Sequence, residues 1–116
     1  MQFLMYSVGE VDTSTPPSME MLAELGKFTE EMIKSGVLVA TGSAQPQGTR
    51  LKLTGGKFTT TDGPFIEAKE LTGGFAILEA PSLEEAVELA KRFRLIVGDG
   101  ESEIVRIMGP SDFGPA

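Results

Sequence analysis

The stretch 62–70 concentrates acidic and basic side chains that could move a proton. Asp62 precedes Gly63-Pro64, so it is either a carboxylate base on a loop or a turn residue that caps its own backbone. Glu67 and Lys69 are two positions apart and would share one face of a strand, either as an acid–base pair or as an exposed ion pair contributing about 0.2–1 kcal/mol. Asp62 and Glu67 are therefore our candidate catalytic residues, and Lys69 is a candidate ligand-binding residue.

Arg106 is a second candidate ligand-binding residue. It lies between Ile104 and Met108 on one face of an otherwise apolar segment, where an unpaired charge would be costly. We expect it either to bind an anionic ligand or to pair with a carboxylate of the same chain. The carboxylates considered for that pair are Asp62, Glu67 and Glu70. Four further polar residues near predicted strand ends could line the same pocket: Tyr6, Ser43, Gln45 and Arg50.

The composition excludes several kinds of chemistry. The 116 residues include no cysteine and no histidine, which rules out disulfides, thiolate nucleophiles and the commonest zinc and haem ligands. We predict no metal site and no cofactor, so a base working near neutral pH would be a carboxylate whose pKa is raised by burial or a lysine whose pKa is depressed. The net charge of −7 argues against binding to nucleic acids or to an anionic membrane surface. Since no secretory signal and no apolar run of ~20 residues is present, we expect a cytoplasmic protein.

The length suits a single domain over residues 1–116, and its first half has a β-α-β pattern. We predict a strand over 3–8, a helix over 18–35 and a strand over 37–40. Gly36 follows the helix, where a left-handed C-terminal cap belongs. Apolar residues recur along the helix at three- and four-residue spacing, namely Leu22, Leu25, Phe28, Met32 and Ile33.

The second half repeats the β-α-β order. A strand is predicted over 73–79 and another over 103–108, with a helix between them that begins after Pro81. Ser82 and Glu85 have the spacing of a capping box at the start of this helix. Its predicted buried stripe consists of Leu83, Ala86, Val87, Ala90 and Phe93.

A hairpin is predicted between the two halves, with strands over 50–54 and 57–61. Gly55-Gly56 favours a tight turn with positive φ, which would place Leu53 opposite Phe58. Right-handed crossovers then put both helices on one face of a four-stranded antiparallel sheet. The predicted class is α+β, with a ferredoxin-like β-α-β/β-α-β fold and a hairpin insertion.

The predicted strands of the sheet carry apolar residues on both faces. A sheet with one solvated face should alternate apolar and polar residues, and two helices can cover only one face. We therefore predict a homodimer in which the open faces of two sheets pack together. The alternative is that the hairpin and the tail of the same chain fold over the open face.

Several segments of the chain resemble a known family. The run 61–70, Thr-Asp-Gly-Pro-Phe-Ile-Glu-Ala-Lys-Glu, followed by Gly73-Gly74-Phe75, resembles the signature of DGPF-domain proteins in the YCII-related family. The segments 103–106 and 111–114 are also similar to that family. The resemblance covers essentially the whole chain and implies a dimeric α+β barrel built on a ferredoxin-like domain.

The resemblance leaves two functions open. The first is binding or conversion of a small anionic or aromatic compound in a pocket between sheet and hairpin, near the DGPF motif. The second is a non-catalytic accessory dimer, since some DGPF-domain proteins are associated with extracytoplasmic-function sigma factors. Related proteins are thought to use a histidine–aspartate pair, which a chain without histidine cannot contain.

Overall fold

The computed structural model describes residues 1–9, 16–45, 47–64 and 73–114. Its elements, in chain order, are β1 (Gln2–Val8), α1 (Met19–Lys34), β2 (Leu38–Gly42), β3 (Gln47–Thr54), β4 (Lys57–Pro64), β5 (Phe75–Glu79), α2 (Leu83–Val97), β6 (Glu101–Ile107) and a short 3-10 helix (Pro110–Phe113). Among the described residues, none of the helices has the length and apolar character needed to cross a membrane.

Helix α1 begins and ends where the sequence predicts. The Ser18 hydroxyl accepts a hydrogen bond from the Met21 amide at 3.1 Å, and Gly36 follows the helix with φ +78°, a conformation that glycine adopts without steric cost. Met32 is buried. The buried stripe is narrower than predicted, because Leu22 and Ile33 lie on its border and are 53% and 57% exposed.

Helix α2 is capped at its start by Ser82, whose hydroxyl accepts from the Glu85 amide at 3.2 Å. Ala86 and Ala90 are its buried residues, and their small side chains let the helix approach the sheet closely. The predicted inclusion of Leu83 in the buried stripe is wrong, since Leu83 lies in the first turn and is 50% exposed.

The four-stranded sheet has the order β2-β5-β1-β6, and all its neighbours are antiparallel. Each half of the chain contributes one inner and one edge strand, which confirms the predicted α+β, ferredoxin-like arrangement. Both helices pack on one face, where the core contains the buried side chains of Phe3, Met5, Ala76, Leu78, Ala80, Ala86 and Ala90.

The other face of the sheet is apolar and is not covered by any described residue of the hairpin or tail. Side chains alternate along a strand, so this open face carries Leu4 and the cross-strand partners Ile77 and Val105. Val105 is 43% exposed, and Phe58 of the hairpin and Phe113 of the tail are also exposed, at 68% and 76%. Hence the described residues do not support the alternative in which the chain covers its own open face.

Strands β3 and β4 form a separate two-stranded sheet, here called the arm (residues 47–64). Gly55 and Gly56 have φ of +57° and +77°, and Leu53 pairs with Phe58, which confirms the predicted turn and register. The radius of gyration is 17.1 Å, against about 13 Å expected for a compact chain of this length. The arm therefore projects from the body of the molecule.

Of the two alternatives for Asp62-Gly63-Pro64, the turn is wrong. These residues end β4, and Asp62 and Gly63 pair with Thr49 and Gly48 of β3. The Thr49 hydroxyl donates to the Asp62 carboxylate at 2.7 Å. Thr49 on the opposite strand thus binds the Asp62 carboxylate, which would otherwise cap a turn. The extended conformation therefore continues to Pro64.

Candidate functional site

A cavity of about 350 Å³ lies between the two helices and the sheet. Its wall is mostly apolar and is supplied by α1, α2 and the helix-facing side of the central strands. The aromatic and large aliphatic side chains on it are Leu25, Phe28, Met32, Phe75 and Phe93. Space remains under α1 because β5 places Ala76 there, and because glycines 42, 73 and 74 line the wall without side chains.

The cavity has a polar end at Ser7 and Ser102. These two serines are a cross-strand pair between β1 and β6, and both line the cavity. The guanidinium of Arg94 binds both of them. Its Nε donates to Ser102 Oγ at 2.8 Å, and one terminal nitrogen donates to Ser7 Oγ at 2.6 Å and to the Glu101 carbonyl at 3.2 Å.

The charge of Arg94 is not balanced by a neighbouring carboxylate among the described residues. This residue is half-buried. The last turn of α2 places it there, with its guanidinium 5.5 Å from the Phe93 ring centroid. A Cβ at Gly100 would lie 2.4 Å from the Arg94 Nη1 atom, so the absence of a side chain at Gly100 makes room for the guanidinium.

The two serines can act as hydrogen-bond donors to a molecule in the cavity. A hydroxyl oxygen that accepts from a guanidinium still has its own hydrogen to donate. Neither Ser7 nor Ser102 donates to an acceptor among the described residues. The Arg94 charge polarises both hydroxyls and strengthens such a donation. An acceptor oxygen at the polar end of an apolar cavity is the chemistry that this arrangement suits best.

Two of the sequence-predicted residues lie at this cavity. Ser43 lines it beside Gly74. Tyr6 is also part of the lining, and its hydroxyl donates to the Glu103 carboxylate at 2.5 Å. Because Tyr6 alternates with the buried Met5, its side chain belongs to the open face of the sheet. Both residues therefore border the cavity, but Tyr6 does so from the open face of the sheet.

Three other predicted residues lie elsewhere. Arg106 forms an ion pair with Asp112 at 3.1 Å. It is the cross-strand partner of Phe3 and therefore lies toward the other end of the β1–β6 pair from Ser7. Asp62 and Arg50 are exposed residues of the arm. A pocket between sheet and hairpin was predicted, but the arm stands away from the sheet and the cavity is under the helices instead. Glu67 and Lys69 fall outside the described residues.

Comparison with known proteins places the chain in a family. A family model of the YCII-related domain matches residues 1–110. The chain belongs to the YCII-related domain family. Among solved structures, this YCII-related chain is similar to 5-chloro-2-hydroxyhydroquinone dehydrochlorinase from Burkholderia phenoliruptrix, in complex with 2,5-dihydroxybenzoquinone. The two chains are 15% identical, with 96% of this chain and 97% of that chain covered and a TM-score of 0.43. No curated protein matches this sequence.

The first residue of β5 and the two residues before it lie at the cavity of this YCII-related domain. Gly73, Gly74 and Phe75, which follow the run 61–70, line its wall. Among the described residues, no group of three or more acidic side chains is arranged to hold a metal ion. At the polar end, the groups able to meet a ligand are the hydroxyls of Ser7 and Ser102, which the guanidinium of Arg94 holds.

Sequence reasoning missed Arg94. An arginine in the last turn of an amphipathic helix is ordinarily read as a solvated residue that stabilises the helix dipole. The two serines that hold it are far apart in the sequence, at positions 7 and 102, and only the pairing of β1 with β6 brings them together. The adjacent Phe93, predicted on the buried stripe, was the one available signal that Arg94 borders the core.

Proposed function

We propose that this YCII-related domain binds a small compound that combines an apolar or aromatic ring with an anionic or acceptor oxygen. The binding site is the cavity between the helices and the sheet. The observation that carries the proposal is the polar end, where Arg94 holds Ser7 and Ser102 and leaves both hydroxyl hydrogens available. The oxygen of the ligand would accept from these two hydroxyls.

Size and lining support a compound with a single ring. The volume of about 350 Å³ is near the lower end of the range found for ligand pockets. Phe28 and Phe93 offer aromatic faces and edges to a ring. The combination of an apolar wall with a few convergent polar groups is typical of small-molecule sites.

The proposal concerns binding, and the assignment of Asp62 and Glu67 as catalytic groups stays a prediction. Asp62 belongs to the arm and accepts from Thr49, and Glu67 is not described by the structure. Arg106 forms an ion pair with Asp112. We therefore assign the anion-binding role that was predicted for Arg106 to Arg94.

We also propose that the protein is a homodimer joined through the open faces of two sheets. Leu4, Ile77 and Val105 would lose their contact with water in such an interface. Burial of apolar area stabilises an interface by roughly 25 cal/mol per Å² before the costs of association are subtracted. A stable monomer in analytical ultracentrifugation at micromolar concentration would contradict this part of the proposal.

Calorimetry with benzoate and with the uncharged benzyl alcohol tests the ligand site. Both probes carry one ring, and only benzoate carries a negative charge. In the Arg94→Met variant we expect the benzoate dissociation constant to rise about 10-fold or more, because the polarised donors lose their cation. The dissociation constant of benzyl alcohol should change by less than about 3-fold.

Lys91→Met is the matched control, since Lys91 lies on the same helix but is exposed and paired with Glu88. It removes the same charge without touching the cavity and should leave both dissociation constants unchanged. If Arg94→Met and Lys91→Met raised the benzoate dissociation constant equally, benzoate binding would depend only on the net charge of the protein. If a panel of single-ring acids and phenols gives no binding to the wild-type protein, the accessory role is favoured over the ligand site.

A further inference from the structure

Two hydroxyls on the cavity wall lie outside the network around Arg94. The residues with a hydroxyl that line the cavity are Tyr6, Ser7, Thr29, Thr41, Ser43 and Ser102. Tyr6 donates to the Glu103 carboxylate, Thr41 donates to the Phe75 carbonyl, and the two serines of the polar end accept from Arg94. Thr29 and Ser43 form no hydrogen bond with any other described residue. Both hydroxyls can therefore donate to and accept from a molecule in the cavity.

Ser43 lies in the same row across the sheet as the two serines of the polar end. Ser43 and Ser7 flank Gly74, because the residues that precede them on β2 and β1 both pair with Phe75. Ser7 is in turn the cross-strand partner of Ser102. The Ser43 Oγ atom is 3.8 Å from the position that a Cβ on Gly74 would take, so it borders the gap that this glycine leaves in the row.

Thr29 lies on the side of α1 that is turned away from α2. It follows Leu25 by one turn, so the two side chains share the part of α1 that lines the cavity. Phe28 and Glu31 mark the side toward α2, because both contact Arg92 of that helix. Thr29 is therefore on the β2 side of the cavity, and β2 and β6 are the opposite edges of the sheet. Thr29 and Ser43 are here called the neutral end of the cavity.

The neutral end differs from the polar end in charge. None of the described residues that line the cavity carries a charge, and the guanidinium of Arg94 binds the serines of β1 and β6. The polar end therefore suits an anionic oxygen. Two neutral hydroxyls suit a neutral hydroxyl or carbonyl instead, because a carboxylate placed there would lose its hydration without gaining a cation.

We infer that the ligand of this cavity is an aromatic acid with a neutral hydroxyl on the opposite side of its ring. The carboxylate accepts from Ser7 and Ser102 at the polar end, and the hydroxyl binds Thr29 and Ser43 at the neutral end. This inference rests on the proposed ligand site. It adds the class of compound and the direction in which the ring lies across the sheet.

The spacing of the two ends favours a para arrangement of the two oxygen groups. Ser43 and Ser7 are separated by two strand spacings, which is roughly 10 Å. Hydrogen bonds of about 2.8 Å at each end, tilted away from this line, leave about 6 Å between the two ligand oxygens. A carboxylate and a hydroxyl on opposite positions of one ring have this separation. A hydroxyl closer to the carboxylate would not reach the neutral end.

Calorimetry with 4-hydroxybenzoate and 4-methylbenzoate tests the neutral end. The two probes have the same ring and carboxylate and differ only in the para group. We expect the wild-type protein to bind 4-hydroxybenzoate about 5-fold more tightly or better, because a methyl group would leave the hydroxyls of Thr29 and Ser43 without a partner. In the Thr29→Val/Ser43→Ala variant this preference should be reversed, since an apolar wall favours the methyl group.

Thr60→Val/Ser111→Ala is the matched control. It removes the same two kinds of hydroxyl from exposed positions outside the cavity and should change the ratio of the two dissociation constants by less than about 2-fold. Arg94→Met should weaken both probes alike, because both carry the carboxylate, and should leave their ratio close to that of the wild-type protein. The ratio therefore reports on the neutral end separately from Arg94.

The outcomes separate this inference from the proposed ligand site. If the wild-type protein binds neither benzoate nor the two para-substituted acids, the ligand site and the inference are refuted together. If benzoate and 4-methylbenzoate bind but 4-hydroxybenzoate has no advantage, the ligand site stands and the inference alone is overturned. A preference for 4-hydroxybenzoate that persists in Thr29→Val/Ser43→Ala would also overturn it, because other groups would then bind the hydroxyl.

Discussion

Substituting Ser102 by alanine should destabilise the protein more than substituting Ser7, although Ser7 makes the shorter hydrogen bond to Arg94. The nitrogen that donates to Ser7 at 2.6 Å also donates to the Glu101 carbonyl at 3.2 Å, and it keeps that acceptor when Ser7 is lost. The Arg94 Nε donates only to Ser102, at 2.8 Å. Ser102→Ala therefore leaves a charged donor without an acceptor.

The expected magnitudes follow from this difference. A hydrogen bond to a charged group contributes about 1.5–3 kcal/mol net, and the partial exposure of Arg94 places the loss at the lower end. We expect Ser102→Ala to reduce the free energy of unfolding by about 1.5 kcal/mol and Ser7→Ala by about 0.5 kcal/mol. In an Arg94→Met background, each serine substitution should cost less than about 0.5 kcal/mol, because the shared partner is gone.

Urea unfolding followed by circular dichroism, with both double-mutant cycles, measures these differences. Ser43→Ala is the control, since Ser43 lines the cavity but makes no hydrogen bond among the described residues; its effect should stay within about 0.5 kcal/mol. A larger loss for Ser7→Ala than for Ser102→Ala would show that bond length outweighs the number of acceptors. Additive losses in the Arg94→Met background would show that the three residues do not act as one network.

Two further predictions concern the core and the tail. Phe3→Ala should reduce the free energy of unfolding by about 3–5 kcal/mol, because Phe3 is 1% exposed and packs against Ala80 and Ala86; a loss below about 1 kcal/mol in urea unfolding would contradict this packing. Arg106→Met should cost at most about 1 kcal/mol, since its pair with Asp112 is part-exposed, and should leave the dissociation constant of benzoate unchanged. A loss of benzoate binding in Arg106→Met would restore Arg106 to the ligand site and contradict the assignment to Arg94.

Local sequence patterns were sufficient to predict the helices, the hairpin and the order of the elements along the chain. Each depends on residues close in the chain: Ser18 and Ser82 accept from amides three positions on, and Gly55-Gly56 determines the register of the hairpin that it closes. The open apolar face was also predictable, because it follows from the failure of four strands to alternate. No knowledge of distant contacts is needed for any of these features.

The ligand site could not be predicted in the same way. Its polar end requires Ser7, Arg94 and Ser102 to meet, and nothing in their types or spacing indicates that they do. Arg106 drew attention because it interrupts an apolar strand, but Asp112 lies six residues further on and satisfies it. The turn at Asp62 was expected wrongly for a related reason. Its carboxylate accepts a hydrogen bond from Thr49, which lies on the opposite strand.

The cavity and the arm share one segment of the chain. Gly42 and Ser43 line the cavity, and β3 begins shortly after them, at Gln47. Thr41 fixes the start of this segment through a hydrogen bond from its hydroxyl to the Phe75 carbonyl at 2.9 Å. The cavity wall is thus joined to β5 within a single chain, without any contact from the arm.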